Sequence, residues 1–269
     1  VKIAKITTQK KRKDRFNVYI DRGKGEEYAF SVSEDVLVSE SILKGMELTE
    51  EAVERIQEKE AVNKGYQSVL NYLSYRMRTE KEIIDYLHKK EVPEENVPRI
   101  ADKLKQQGLI DDQSFSESYI RTKKNEQLKG PMLLKQELER KGVDQHIIEQ
   151  ALTIYSQEEQ FDKATQLANK KSQARKNEPL KSRQQKLIQH LIQRGFSQHM
   201  SVEVVRDLDW EHDDQLEWQA IEKYGLKALR KYRQFTGWEL EQKVKQTLVQ
   251  RGFSFDLIQQ WLDEQEIEK

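Results

Sequence analysis

Four groups of cations recur along the chain: Arg76 and Arg78; Arg121, Lys123, Lys124 and Lys129; Lys170, Lys171, Arg175 and Lys176; and Arg230, Lys231 and Arg233. Their chemistry is anion recognition, by point charge from lysine and by forked hydrogen bonding from arginine. Set at equivalent positions of stacked units, they would make a positive stripe able to follow a phosphate backbone or an acidic protein groove. For any one group the alternative is a solvated helix face carrying intrahelical ion pairs.

Bond-making chemistry has little to stand on. A phosphate cradle needs a glycine-rich loop of backbone amides. Gly23-Lys24-Gly25 is the one candidate; it lacks the loop length and the following hydroxyl residue, and a hairpin explains it better. His88, His146, His190, His199 and His212 have no paired-ligand spacing. His212-Asp213-Asp214 reads as a helix start rather than a metal site. With no cysteine, disulfides, thiolate metal sites and cysteine nucleophiles are excluded. A non-enzymatic protein without metal or cofactor is expected.

The 269 residues are 36% hydrophobic and 35% charged, a ratio that suits small local cores better than one large sphere. Net charge is zero, with 47 residues of each sign, so a simple nucleic-acid sponge is disfavoured. The charges are segregated. Lys2 to Arg15 holds seven basic residues and one acid, Lys163 to Lys186 eight and one, while acids dominate Glu47–Glu60 and Asp256–Glu268. No apolar run approaches the roughly 18–20 residues that span a bilayer, and the first residues lack a signal-like stretch. A soluble cytoplasmic protein is expected.

Periodicity gives the strands and helices that carry these cations. Ile3 and Ile6, then Phe16, Val18 and Ile20, then Tyr28 and Phe30 mark three strands of a small antiparallel sheet, with a hairpin loop at 21–25. Asp35–Val38 suggests a short helix, and Thr49-Glu50-Glu51 begins another. Beyond residue 60 the pattern is helical and repeats. Leu87, Leu138, Leu191 and Leu248 each end a helix, four residues before a glycine (Glu91 in the first copy) and an apolar residue. Glycine there fits a left-handed C′ position. Asp144, Ser197 and Ser254 then cap the next helix. Upstream, Thr79 and Thr236 open capping boxes, and Pro131 and Pro179 stand at first helical positions. A third helix precedes in each copy, at about 61–75, 112–128, 157–176 and 211–233, with Ser156–Glu159 as another capping box. The unit is therefore three helices, A, B and C. The fold expected is mainly α: tandem three-helix repeats at 61–108, 109–155, 156–209 and 210–269 in an elongated array, after a β element with short helices at 1–60.

Such units suggest a helix-turn-helix, whose last helix would read bases. Helix C does not meet that demand: the second copy has no basic residue, the fourth is acidic, the first mixes Arg99, Lys103 and Lys105 with acids, and the third has only Arg206.

Residues 104–120, with Gly108-Leu109-Ile110-Asp111-Asp112 followed by Phe115-Ser116, resemble the signature of the RecX family, where alanine is usual at Ser116. Arg121, Lys129-Gly130-Pro131, Glu137-Leu138 and Lys141-Gly142-Val143 follow the same order. Leu70, Leu73, Arg76, Thr79, Glu82 and Leu87 look like the family's first repeat, and Arg194-Gly195-Phe196-Ser197 like its third. The likeness covers about 61–210 well, and the rest resembles longer members. Asp111 and Asp112 themselves read as helix-start residues. The resemblance implies a monomeric regulator that binds the RecA recombinase and its filament on single-stranded DNA. It implies inhibition of recombinase, ATPase and coprotease activities in DNA repair and the SOS response. Direct contact with single-stranded DNA stays open, as do a DNA-binding repeat protein without RecA and a protein–protein scaffold.

Overall fold

The computed structural model describes residues 1–23, 25–172, 178–210 and 214–265. The chain forms two compact units, residues 1–116 with 139–148, and 117–138 with 149–269.

In the first unit, β1 (Lys2–Thr8), β2 (Arg15–Asp21) and β3 (Glu26–Ser33) make an antiparallel sheet in the order β1-β2-β3. Ile3 pairs with Ile20, and Val18 with both Ile6 and Phe30, which stacks the alternating apolar residues on one face. In the hairpin loop the Asp21 carboxylate accepts the amides of Gly23 (2.7 Å) and Gly25 (3.3 Å). The amides a phosphate would need are thus taken by a carboxylate. Lys24 lies outside the described residues.

The short helix α1 (Glu34–Ser39) follows, and then α2 (Glu50–Leu73) runs unbroken for 24 residues. A boundary at residue 60 falls inside this helix. Thr49 caps it, and no proline or glycine interrupts it before Gly65. Its first half supplies Ile56 to the core under the sheet, together with Val18, Val32 and Val36. Its second half supplies Tyr66 and Val69 to the core of the first repeat. Glu60 fixes the junction, accepting the Ser33 amide (2.7 Å) and pairing with Arg15 (2.7 Å). The repeat is completed by α3 (Glu80–Lys89), a 3-10 turn at Glu94–Asn96, and α4 (Val97–Gln106), which bury Ile83, Leu87, Ile100 and Leu104.

The second repeat, α5 (Asp112–Glu126), α6 (Pro131–Arg140) and α7 (Gln145–Leu152), is divided between the two units. Phe115, Val143 and Ile148 are buried in the first, and Ile120, Leu134, Leu138 and Ala151 in the second. The third repeat has α8 (Gln157–Ser172), α9 (Leu180–Gln193) and α10 (Gln198–Arg206) around Leu167, Leu187, Leu191 and Phe196. The fourth has α11 (Asp214–Lys231), α12 (Gly237–Arg251) and α13 (Phe255–Glu264) around Ile221, Leu248, Phe253 and Trp261. The tandem three-helix reading of the sequence is therefore the observed architecture.

The B-helix ends behave as expected. Glu91, Gly142, Gly195 and Gly252 all have positive φ (57°, 79°, 93° and 100°). The amides of Val92, Phe196 and Phe253 bond back to the carbonyls of Leu87, Leu191 and Leu248. That 6→1 bond is why leucine, glycine and apolar residue recur at fixed offsets. Helix starts depart in detail. The Thr79–Glu82 box forms with both bonds, but Thr236 makes no side-chain cap bond. At Ser156 only the hydroxyl half is seen, because the Glu159 carboxylate pairs with Lys124 instead. Pro179 is the N-cap of α9 rather than its first helical residue.

Start-to-end contacts join successive B helices. Thr79 Oγ1 donates to the Lys141 carbonyl (2.8 Å), bringing the start of α3 to the end of α6. Gly130 donates to the Arg194 carbonyl (2.8 Å) and Met132 to Gly195 (3.0 Å), doing the same for α6 and α9. Around Gly252 the nearest atoms are those of Lys181 and Ser182 at the start of α9. Each joint sets the positive end of one helix dipole against the negative end of the next.

Candidate functional site

The cation groups sit where A helices end. Lys123 and Lys124 close α5, Lys170 and Lys171 close α8, and Arg230 and Lys231 close α11. Cations in a last turn are favoured by the helix dipole whatever their other role. The groups differ in what they touch.

In the first repeat, Arg76 is exposed and forks onto both Glu82 oxygens (3.2 and 3.0 Å), while donating to the Met77 carbonyl. Lys141 also reaches Glu82 (3.2 Å). Burial opposes ionisation of Glu82, but Arg76 and Lys141 outweigh it and hold the carboxyl below the ordinary glutamate range. The Arg78 guanidinium lies over the Tyr72 ring at 4.0 Å, and Tyr72 stacks on Tyr86. These cations brace the turn between α2 and α3.

In the second repeat, Arg121 is exposed and pairs with Glu117 (3.0 Å), and Lys123 lies 5.6 Å from the Tyr119 ring. Lys124 is 6% exposed, paired to Glu159 (2.5 Å) and beside the Tyr155 ring. A buried, paired lysine cannot form part of an open stripe. Lys129 is half-buried against Glu137 (2.5 Å), which also accepts from Tyr119 (3.0 Å). Burial works against the Glu137 charge, yet Lys129 and Tyr119 keep its carboxyl below the usual range.

The last two groups are different. Lys170 and Lys171 are exposed and have no ion pair among the described residues. Arg175 and Lys176 lie outside the described residues. Arg230 and Arg233 are exposed and likewise unpaired among the described residues, and Lys231 lies 4.9 Å from the Tyr232 ring. The Thr247 hydroxyl, with Lys231 and its charge, holds the Tyr232 phenol below its ordinary range.

Two features escaped the sequence reading. A cleft of about 430 Å³ in the third repeat is lined by Lys171, Ser172, Arg183, Lys186, His190 and Trp210. Arg183 is buried there, donating to the Ser172 carbonyl (3.2 Å) with its guanidinium 5.4 Å from the Trp210 ring. The basic run from Lys163 to Lys186 was the available signal. Secondly, Asp111 and Asp112 divide their work. Asp111 caps its own helix through the Gln113 and Ser114 amides, whereas Asp112 accepts from Glu80 (2.9 Å) at the start of α3. Desolvation raises the Asp112 carboxyl, and the Asp111 bonds to Ser114 lower that of Asp111. The basic residues of α4 and α10 are engaged: Arg99 with Glu58, Lys103 over Tyr66, Lys105 with Glu80 and Arg206 with Asp207. No group of three or more histidine, aspartate or glutamate side chains that could hold a metal is found among the described residues. No helix among them is long and apolar enough to cross a membrane.

Three-helix units in tandem, with cations near their A–B turns, define a helical-repeat protein. Comparison makes the assignment specific. Residues 1–49 match the regulatory protein RecX N-terminal domain, 66–104 the first three-helix domain of RecX and 111–152 the second. The third three-helix domain matches twice, at 157–205 and 215–262. The regulatory protein RecX of Oceanobacillus iheyensis is 41% identical over 265 residues, 98% of this chain and 97% of that one. That of Bacillus cytotoxicus is 40% identical over 260 residues, covering 97% and 96%. A crystal structure of regulatory protein RecX superposes with a TM-score of 0.68 at 41% identity, over 77% of this chain and 99% of that one. The structure of RecX from Lactobacillus salivarius gives 0.54 at 37%, over 55% and 97%. The chain belongs to the RecX family of regulatory proteins.

Proposed function

We propose that this protein regulates a RecA recombinase by binding it and its filament on single-stranded DNA, holding down recombinase, ATPase and coprotease activities. The observation that carries the reading is membership of the RecX family across the N-terminal domain and every three-helix unit. The action is steric and electrostatic, stoichiometric rather than catalytic, and needs no cofactor. Among the cations, Lys170, Lys171, Arg230, Lys231 and Arg233 are the contacts we favour, since no described acid neutralises them. Arg175 and Lys176 join them on sequence grounds. Arg76, Arg78, Arg121 and Lys123 are secondary contacts, already engaged within the fold, and Lys124 and Lys129 serve the fold itself. A RecA partner places the protein in the cytoplasm.

Co-sedimentation with RecA, with and without single-stranded DNA, tests this directly. The protein should pellet with the filament and should bind RecA when DNA is absent. A protein that pellets with DNA alone, and gains nothing from RecA, would be a DNA-binding repeat protein instead. Failure to pellet with the filament when DNA is present, together with no binding to RecA when it is absent, would contradict the proposal.

A further inference from the structure

Trp238 is out of place for a tryptophan. It stands at the second position of α12 with 75% of its surface exposed. The chain's other three tryptophans are packed: Trp261 is fully buried, Trp218 lies against the same core, and Trp210 donates its indole N–H to the Val205 carbonyl (2.9 Å). An exposed indole leaves a large apolar face in water, and that face gains most from a flat partner. Five to eight residues upstream stand Arg230, Lys231 and Arg233, all exposed. The acids that follow are already matched within α12, Glu239 by Lys243 (3.9 Å) and Glu241 by Lys245. The turn therefore presents three cations without a described counter-charge and one uncovered aromatic ring. Equivalent A–B turns elsewhere also expose a large apolar side chain, Tyr75 (85%) in the first repeat and Met132 (57%) in the second.

We infer that the α11–α12 turn is a stacking platform for single-stranded nucleic acid, with a base on the Trp238 ring and the flanking phosphates at Arg230, Lys231 and Arg233. Cations alone would suit any polyanion. The aromatic ring selects a partner with flat, unstacked bases, which a single strand offers and a duplex or a carboxylate-rich peptide does not. This deepens the proposed function by naming its nucleic-acid contact, and rests on it only in taking the filament's DNA as the strand bound in the cell.

The test is a titration of the full chain with oligothymidylate, followed by tryptophan fluorescence and repeated over a range of salt. The parent should be quenched, since its one largely exposed indole is the one stacked. Trp238→Ala should lose the quench and bind roughly tenfold more weakly, the effect of one stacked base. Trp238→Phe should lose the signal but keep most of the affinity. Reversing Arg230, Lys231 and Arg233 to glutamate should flatten the log–log salt slope by about 2, at about 0.7 for each phosphate contact on single strands. Equal affinity of the parent and Trp238→Ala would overturn the platform, as would equal quenching by polyglutamate. If the oligonucleotide results hold while the parent leaves RecA unaffected, the platform stands and the proposed function falls.

Discussion

At the level of single residues, positive φ closes the B helices, and the four closing residues are not equally constrained. A Cβ on Gly195 would lie 2.4 Å from the Leu133 amide nitrogen, whereas on Gly252 the nearest neighbour would be 3.6 Å away. Left-handed strain costs about 1–2 kcal/mol for a non-glycine residue. Gly252→Ala should therefore lose about that much in a denaturant titration, and Gly195→Ala clearly more, because backbone cannot move aside as a side-chain tip can. Equal losses would mean that the α6–α9 joint yields. Glu91 already carries the strain at φ 57°, so Glu91→Gly should gain about 1 kcal/mol. The closing positions were legible because leucine, glycine and apolar residue recur in the chain; the tightness at Gly195 was not, since it depends on another repeat's backbone. Glu82 provides a test by pH. Its carboxyl is held below the unfolded value, so its stabilisation is complete above the ordinary glutamate range and is lost as pH falls through the lower folded value. The stability advantage of the parent over Glu82→Gln should shrink on acidification through that window. A difference constant across it would remove Arg76 and Lys141 as the cause.

Among the elements, α2 decides how the β element is attached. Its buried face changes partner midway, from the sheet core at Ile56 to the first repeat at Tyr66 and Val69. Sequence periodicity locates helical stretches but not the change of partner, and the acidic composition before residue 60 conceals the continuity. Glu60 is the residue that ties helix to sheet, through Arg15 and the Ser33 amide. Removing one member of a buried pair leaves its partner uncompensated, at a cost of about 3–5 kcal/mol. Glu60→Ala should fall near the lower figure, since Arg15 retains some access to water, and should expose β3 to limited proteolysis before the first repeat. Unaltered stability would show that the apolar core alone holds the sheet. The three strands and the helix set were readable from alternation, capping residues and the repeated leucines. The capping of α3 by Asp112 was not, because it is made between residues 32 apart in sequence.

For the molecule as a whole, zero net charge conceals a division of labour. The cations of the first two groups are engaged by carboxylates and aromatic rings of the fold, Lys124 by Glu159 of the next repeat, while those described in the last two are exposed and have no described ion pair. Four matching clusters could be read in the sequence; which of them face an acid depended on Glu82, Glu137 and Glu159, which come into range only after folding. Under the proposed function, regulation of RecA runs through these open cations together with the family's repeats. The measurement that decides it is RecA's DNA-dependent ATP hydrolysis, titrated with the parent and with a variant in which Lys170, Lys171, Arg175 and Lys176 are reversed to glutamate. These substitutions should leave the helical spectrum intact, since isolated surface pairs contribute only about 0–1 kcal/mol. The parent should lower the rate in proportion to its amount and hydrolyse no ATP alone, and the variant should need a much higher concentration for the same effect. Identical titration curves for the two proteins would remove this surface from the mechanism, and an unaltered RecA rate at excess parent would rule out regulation of RecA by this protein.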